Sequence, residues 1–230
     1  MSRRDEIEAN LATVRGRIEG ACAEVDRDPA GVRLVVVTKF FPASDVRLLA
    51  DLGVRDVGEN RHQEAQAKVA ECADLPLTWH FIGALQSNKA AAVASYSHVV
   101  ESVDRVKLVA PLARGAHERP LDCLLQVSLD TPGERGRAGA DPGLLDELAR
   151  AVEEAPQLRL RGLMAVAPLG ENPAAAFDRL ARIRTDFLVE HPTAEWLSAG
   201  MSGDLEQAVR TGATHVRVGS AILGSRPRVK

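Results

Sequence analysis

The strongest constraint on this chain is a switch, repeated eight times between residues 32 and 219, from a short apolar run to a helical stretch. The first run, Val32–Lys39 (VRLVVVTK), is rich in β-branched residues and does not alternate with polar ones. Continuous apolar strands belong to parallel sheets covered on both faces. Further runs lie at Asp56–Glu59, Leu77–Gly83, His98–Val103, Leu121–Leu129, Leu158–Val166, Glu195–Ala199 and His215–Gly219. Helical patterns separate them: Val46, Leu49, Ala50 and Leu52 before Gly53; Leu144, Leu145, Leu148, Ala151 and Val152; Phe177, Leu180, Ile183 and Phe187. Strands alternating with helices imply βαβ units and a parallel sheet. Eight units in 230 residues predict one (β/α)8 TIM-type barrel, a fold that typically uses about 250 residues. An open doubly wound sheet is the alternative, but no GxGxxG follows the first strand.

Ahead of the first strand, Ile7, Leu11, Val14, Ile18, Cys22 and Val25 recur at helical spacing and predict an extra amphipathic helix ending before Asp28-Pro29. No linker interrupts the rest, so residues 1–230 are expected to form a single domain. The Pro/Gly-rich patch Thr131–Gly143 reads as a long loop after the fifth strand.

A formal charge of −3 gives no electrostatic case for nucleic acid or an anionic membrane. Aromatic residues make up 3%, too few for a base-stacking surface. The three cysteines, Cys22, Cys72 and Cys123, form no CxxC and read as small buried hydrophobes in a reducing compartment. The charged N-terminus has no signal-peptide core, and no run approaches membrane-spanning length, so a cytoplasmic location is expected.

Chemistry in such barrels sits at the carboxyl ends of the strands. Lys39 closes the first strand there. It is either a snorkelling lysine or, if desolvated, an amine able to form a Schiff base with a carbonyl. In strand eight, Val216 and Val218 share one face and Arg217 the other. The valines must meet the helix layer, so Arg217 points into the barrel, toward an inward carboxylate or a ligand. Two small-residue loops, Ser198–Asp204 and Gly219–Ile222, follow strands seven and eight, where barrels often bind phosphate. Ser202 alone would read as an N-cap. A lysine, a phosphate cradle and an inward arginine describe a site for a phosphorylated aldehyde, either a sugar phosphate or pyridoxal phosphate.

Six ordered segments go further: VVVTKFFP (Val35–Pro42), VGENRHQE (Val57–Glu64), WHFIGALQSNK (Trp79–Lys89), RLRGLMAVAP (Arg159–Pro168), LSAGMSGDLEQAV (Leu197–Val209) and GATHVRVGSAILG (Gly212–Gly224). With them the chain resembles, almost end to end, the pyridoxal-phosphate homeostasis protein family. That family looks like the barrel domain of alanine racemase standing alone. The resemblance implies that Lys39 carries pyridoxal 5'-phosphate (PLP) as an internal aldimine. It also implies that Ser202 with the Met201 backbone, and Gly219-Ser220, hold the phosphate. Arg217 would face the pyridine nitrogen, and Asn60 would line the ring pocket. An arginine there keeps the nitrogen unprotonated and weakens the ring as an electron sink. Two departures stand out. Thr38-Lys39-Phe40 replaces the common Ser-Lys-Thr, and Arg137-Ala138-Gly139 replaces a Lys-x-Gly. Arginine stays protonated and cannot form an aldimine, so a second cofactor-accepting amine is not expected at Arg137.

Gln86-Ser87-Asn88 reads as a cap for the following helix, with Lys89 exposed near the mouth, and His80 receives no chemistry. His62, His98, His117 and His191 read as solvated or loop residues. The expected function is buffering or delivery of PLP, possible acceptors being apo PLP-dependent enzymes, by a monomer without its own substrate reaction. The competing reading is an amino-acid racemase, which needs a second base, usually a tyrosine from another domain. The one tyrosine, Tyr96, precedes strand four and is expected on the wrong side of the barrel. A class I aldolase is the third reading, but its Schiff-base lysine usually sits on a later strand.

Overall fold

The computed structural model describes residues 2–130 and 139–225. Eight parallel strands close into a barrel in chain order: β1 (Arg33–Val37), β2 (Asp56–Glu59), β3 (Thr78–Phe81), β4 (Val99–Val103), β5 (Leu121–Gln126), β6 (Leu158–Met164), β7 (Trp196–Ser198) and β8 (His215–Val218). The seam is β1 on β8, with Val35 opposite Arg217 and Val36 opposite Val218. Around the barrel lie α2 (Ala43–Asp51), α3 (His62–Glu71), α4 (Ala90–Tyr96), α5 (Val109–Gly115), α6 (Leu145–Glu153), α7 (Pro173–Glu190), α8 (Leu205–Arg210) and the single turn α9 (Ser220–Leu223). The predicted TIM-type barrel is the observed one. Every strand starts or ends within a few residues of its expected place.

Strand alternation divides the side chains into two layers. Val36, Val57, Trp79, Val216 and Val218 join the helices in one apolar cluster. The opposite faces carry Val99, Leu124, Met164 and Trp196 inside the barrel, together with the buried polar residues His80, Glu101, Ser198 and Arg217.

The extra helix α1 (Arg3–Ala23) buries Ile7, Leu11, Val14, Ile18 and Cys22, as its pattern predicts. Ser2 and Asp5 form a capping box at its start. Val25 leaves the stripe: the helix ends at Ala23, Asp26 takes a positive φ of 52°, and Val25 is exposed. Leu144 likewise falls in a 3₁₀ turn before α6 and is exposed. All three cysteines are free and buried.

Three other expectations are corrected. Gln86-Ser87-Asn88 gives α4 no side-chain cap. The segment folds as a turn, the Lys89 N–H donating to the Gln86 carbonyl, and Lys89 is half-buried. His191 is buried against Phe187, 3.0 Å from Glu153 and 3.3 Å from Asp146. His98 is half-buried and accepts the Trp79 backbone N–H at Nδ1 (3.0 Å), and burial lowers its pKa to about 4. Histidines in helix and strand termini meet whatever the tertiary fold packs beside them, which spacing does not reveal. His117 is exposed, as expected. Arg137 lies outside the described residues. Among the described residues no helix is long and apolar enough to cross a membrane, and no cluster of His, Cys, Asp and Glu could hold a metal ion.

Candidate functional site

At the carboxyl ends of the strands, a cleft of about 330 Å³ opens between the ends of β1 and β8 and the loop after β7. Lys39, Phe40, Met201, Ser202, Arg217, Gly219 and Ser220 line it. Six of the seven expected site residues therefore share one cavity. Asn60 lies at the end of β2 and is not among the residues lining the cleft. Its backbone and side chain pack so tightly on Gly83 that a Cβ there would come within 2.2 Å of the Asn60 oxygens. Only glycine permits that approach.

Lys39 sits in a tight turn just past β1. The Phe41 N–H donates to the Thr38 carbonyl, and Phe40 adopts a left-handed φ of 71°, rare for a bulky residue. The VGENRHQE segment holds this turn from outside. Glu59 accepts from Thr38 Oγ1 (2.6 Å), and Glu64 accepts the Phe40 N–H (2.5 Å). Lys68 donates to the Thr38 carbonyl (2.8 Å), to Glu59 (2.5 Å) and to Glu64 (3.1 Å). Burial pushes the Glu59 carboxyl above its ordinary range, with Lys68 opposing. No motif in the sequence marks Lys68. Its place four residues after Glu64 was the only available signal.

The two small-residue loops meet across the cleft, with Ser220 Oγ 3.4 Å from Ser202 Oγ. Gly200, at φ 89°, turns the chain away from β7, and a Cβ there would collide with Ala208. The Met201 N–H donates to Asp204 Oδ1 (2.6 Å), so this amide is engaged within its own loop. Helix α1 braces the loop from behind. Arg17 donates to the Ser202 carbonyl (3.0 Å) and forms a two-pronged pair with Glu206. Nothing in the sequence linked the N-terminal helix to the site, because that contact joins residues far apart in the chain.

Arg217 points inward, as the alternation of β8 requires, and is buried. It donates to Ser198 Oγ (2.6 Å) and to the Ala165 carbonyl (2.9 Å), with Glu101 at 3.8 Å. Burial lowers its pKa, opposed by Glu101 and Asp204. Both readings of an inward arginine thus coexist: it has a carboxylate neighbour, and it lines the cleft. Spacing along the chain assigns no role to Glu101 or His80. Yet a lone glutamate in the apolar strand VVESV carries the same signal that singled out Arg217.

Tyr96 ends α4, at the amino-terminal side of β4, but its ring leans back to stack on His62 (ring centroids 5.9 Å apart). It packs in the helix layer, and burial pushes its hydroxyl pKa up. It is not among the residues lining the cleft.

Residues 3–227 match the sequence signature of the alanine racemase N-terminal domain. The chain is 47% identical to the pyridoxal phosphate homeostasis protein of Pseudomonas aeruginosa, covering 96% of each chain. It is 42% identical to that of Mycobacterium leprae, over 96% of this chain and 93% of the relative. Among solved structures, PipY of Synechococcus elongatus with PLP bound is 38% identical, with a TM-score of 0.81, covering 95% of this chain and all of that one. Alanine racemase of Clostridium difficile shares the fold at 13% identity and a TM-score of 0.71. The chain belongs to the pyridoxal phosphate homeostasis protein family, built on the alanine racemase N-terminal domain.

Proposed function

We propose that this chain binds PLP in the cleft, held covalently through the Lys39 amine, and buffers or delivers it without a substrate reaction of its own. The observation that carries the reading is the convergence of Lys39, Ser202, Ser220 and Arg217 on one cavity. An amine for a carbonyl, hydroxyls with small-residue backbone for a phosphate, and a guanidinium for a ring nitrogen are the donor set PLP requires. The names of the curated relatives and the PLP-bound PipY structure support the same ligand.

Bound there, the cofactor would supply a reversibly reactive carbonyl on a ring that can accept electrons. The protein's residues limit the second property. Arg217, ionised and oriented by Ser198, disfavours a proton on the ring nitrogen and so weakens electron withdrawal. Ser202, Gly219 and Ser220 would hold the phosphate; the Met201 amide beside them is held by Asp204, and Asn60 would support the site from outside the cleft lining. Tyr96, packed in the helix layer and not among the residues lining the cleft, is not placed to serve as the second base of a racemase. The acceptors would be apo PLP-dependent enzymes, the setting the cytoplasm, and the acting form a monomer.

Protein mixed with PLP should gain a visible absorption band, and borohydride should then fix one cofactor mass on Lys39. Lys39→Ala should lose the band and the adduct while melting like the wild type, since the residue stands in a turn outside the core. An adduct on another lysine, or none, overturns the site. Racemisation of alanine at ordinary enzymatic turnover overturns the carrier reading.

A further inference from the structure

We propose that Glu101, charge-balanced by His80, is the positioning anion that fixes Arg217 toward the ring nitrogen of a cofactor in the cleft; this rests on the function proposed above.

TIM-barrel interiors are ordinarily layers of branched apolar side chains. Here a polar chain crosses the interior through five strands. Asp56 on β2 meets His80 on β3 (3.2 Å to Nε2), and His80 Nδ1 meets Glu101 on β4 (2.7 Å). Ser198 on β7 donates to Glu101 Oε2 (2.6 Å) and accepts from Arg217 on β8 (2.6 Å).

The direction of each bond follows from what the groups can do. Ionised carboxylates only accept, so both His80 nitrogens donate and the ring is a cation. Burial alone would lower the His80 pKa, but the two carboxylates raise it to about 9. Burial likewise opposes ionisation of Glu101, yet His80, Arg217 and Ser198 hold its pKa at about 2. Charges therefore alternate along the chain: Asp56 negative, His80 positive, Glu101 negative, Arg217 positive. His215, its ring 6.2 Å away, and His98 also act on His80, and burial lowers the pKa of each to about 4, so both stay neutral. Arg33 lies 4.0 Å from Asp56 at the amino-terminal rim.

Ser198 has one hydroxyl proton. Because the hydroxyl donates that proton's hydrogen bond to Glu101, the oxygen's lone pairs are left for the Arg217 Nη1 donor, and the guanidinium is held at a set angle. An uncharged group in place of Glu101 would leave Arg217 without its buried counter-charge and exchange the charge-assisted bond that sets the Ser198 hydroxyl for a weaker neutral one. Glu101 is a positioning residue, acting on the ring through Ser198 and Arg217.

The test compares affinity for PLP with affinity for its analogue carrying carbon in place of the ring nitrogen. Wild-type protein, Glu101→Gln and Ser198→Ala are used full length. Ser198→Ala cuts the link but keeps the Glu101 charge, and so guards against a Glu101→Gln protein that does not fold. Both variants should bind PLP roughly tenfold more weakly, the scale of one charge-assisted hydrogen bond, with affinity for the analogue unchanged. In the unloaded protein, histidine NMR should show the His80 titration falling toward the ordinary imidazole range in Glu101→Gln and staying high in Ser198→Ala. Equal loss for both ligands, or no loss in either variant, overturns the inference while the function stands. Wild-type protein that binds neither ligand overturns the function itself, before any variant is compared.

Discussion

Replacing Lys68 by methionine probes the support beneath the Lys39 turn. The lysine and Glu59 are both almost fully buried, their side chains 5% and 2% exposed. Methionine fills most of the lysine's volume but removes the cation paired with Glu59 and a donor to the Thr38 carbonyl. Among the described residues Glu59 Oε2 has no hydrogen-bond partner to compensate for the lost cation. Breaking a buried pair from one side costs about 3–5 kcal/mol, a large share of the 5–15 kcal/mol that holds a typical domain together. The penalty should depend on pH in one direction. Glu59 already has a folded pKa above its ordinary value, and losing Lys68 raises it further. The folded state then favours the proton, so the penalty shrinks below the ordinary carboxylate pKa and grows as pH rises. Urea denaturation at pH 5 and pH 8 measures both effects. Adding Glu59→Gln removes the stranded charge while still accepting from Thr38, and should recover most of the loss. A Lys68→Met penalty below about 1 kcal/mol, or a double variant no more stable than the single one, would refute the account of the turn.

Arg17→Ala releases the Ser202 carbonyl and Glu206 from α1, and PLP affinity should fall roughly threefold, the scale of a partly exposed pair. Equilibrium dialysis reads this, and unchanged affinity would separate α1 from the site. Stability should also fall between about pH 6.5 and 9. His80 keeps a proton up to about pH 9 in the folded state, whereas unfolded imidazole loses it near ~6.5. The contribution is full below the unfolded value and lost as pH rises through the folded one, on the order of 3 kcal/mol in all. Denaturation midpoints across that range should slope downward in the wild type and flatten in His80→Asn. Parallel profiles would mean that His80 is neutral.

The candidate site was legible where it depends on a residue's place along its own strand or loop. Lys39 ends an apolar strand, Arg217 alternates with two outward valines, and Ser202 and Ser220 follow strands whose order locates them at one rim. Local pattern suffices there, because strand alternation and barrel closure convert sequence position directly into a point in space. Tyr96 was half legible: its backbone is at the amino end of β4, but helical side chains lean toward their own N-terminus, and its ring rises to His62.

By itself, then, the sequence determined the barrel, its extra helix and six of the residues that line the cleft, though not the exclusion of Asn60. Only the tertiary structure decided what holds them. Glu59 and Lys68 meet under the Lys39 turn, Arg17 reaches Ser202 from the first helix, and Glu101, His80 and Ser198 orient Arg217 from three other strands. Each is a pairing between residues distant in the chain. Periodicity says which face a charged group occupies, but its partner is set by the register and closure of the whole barrel.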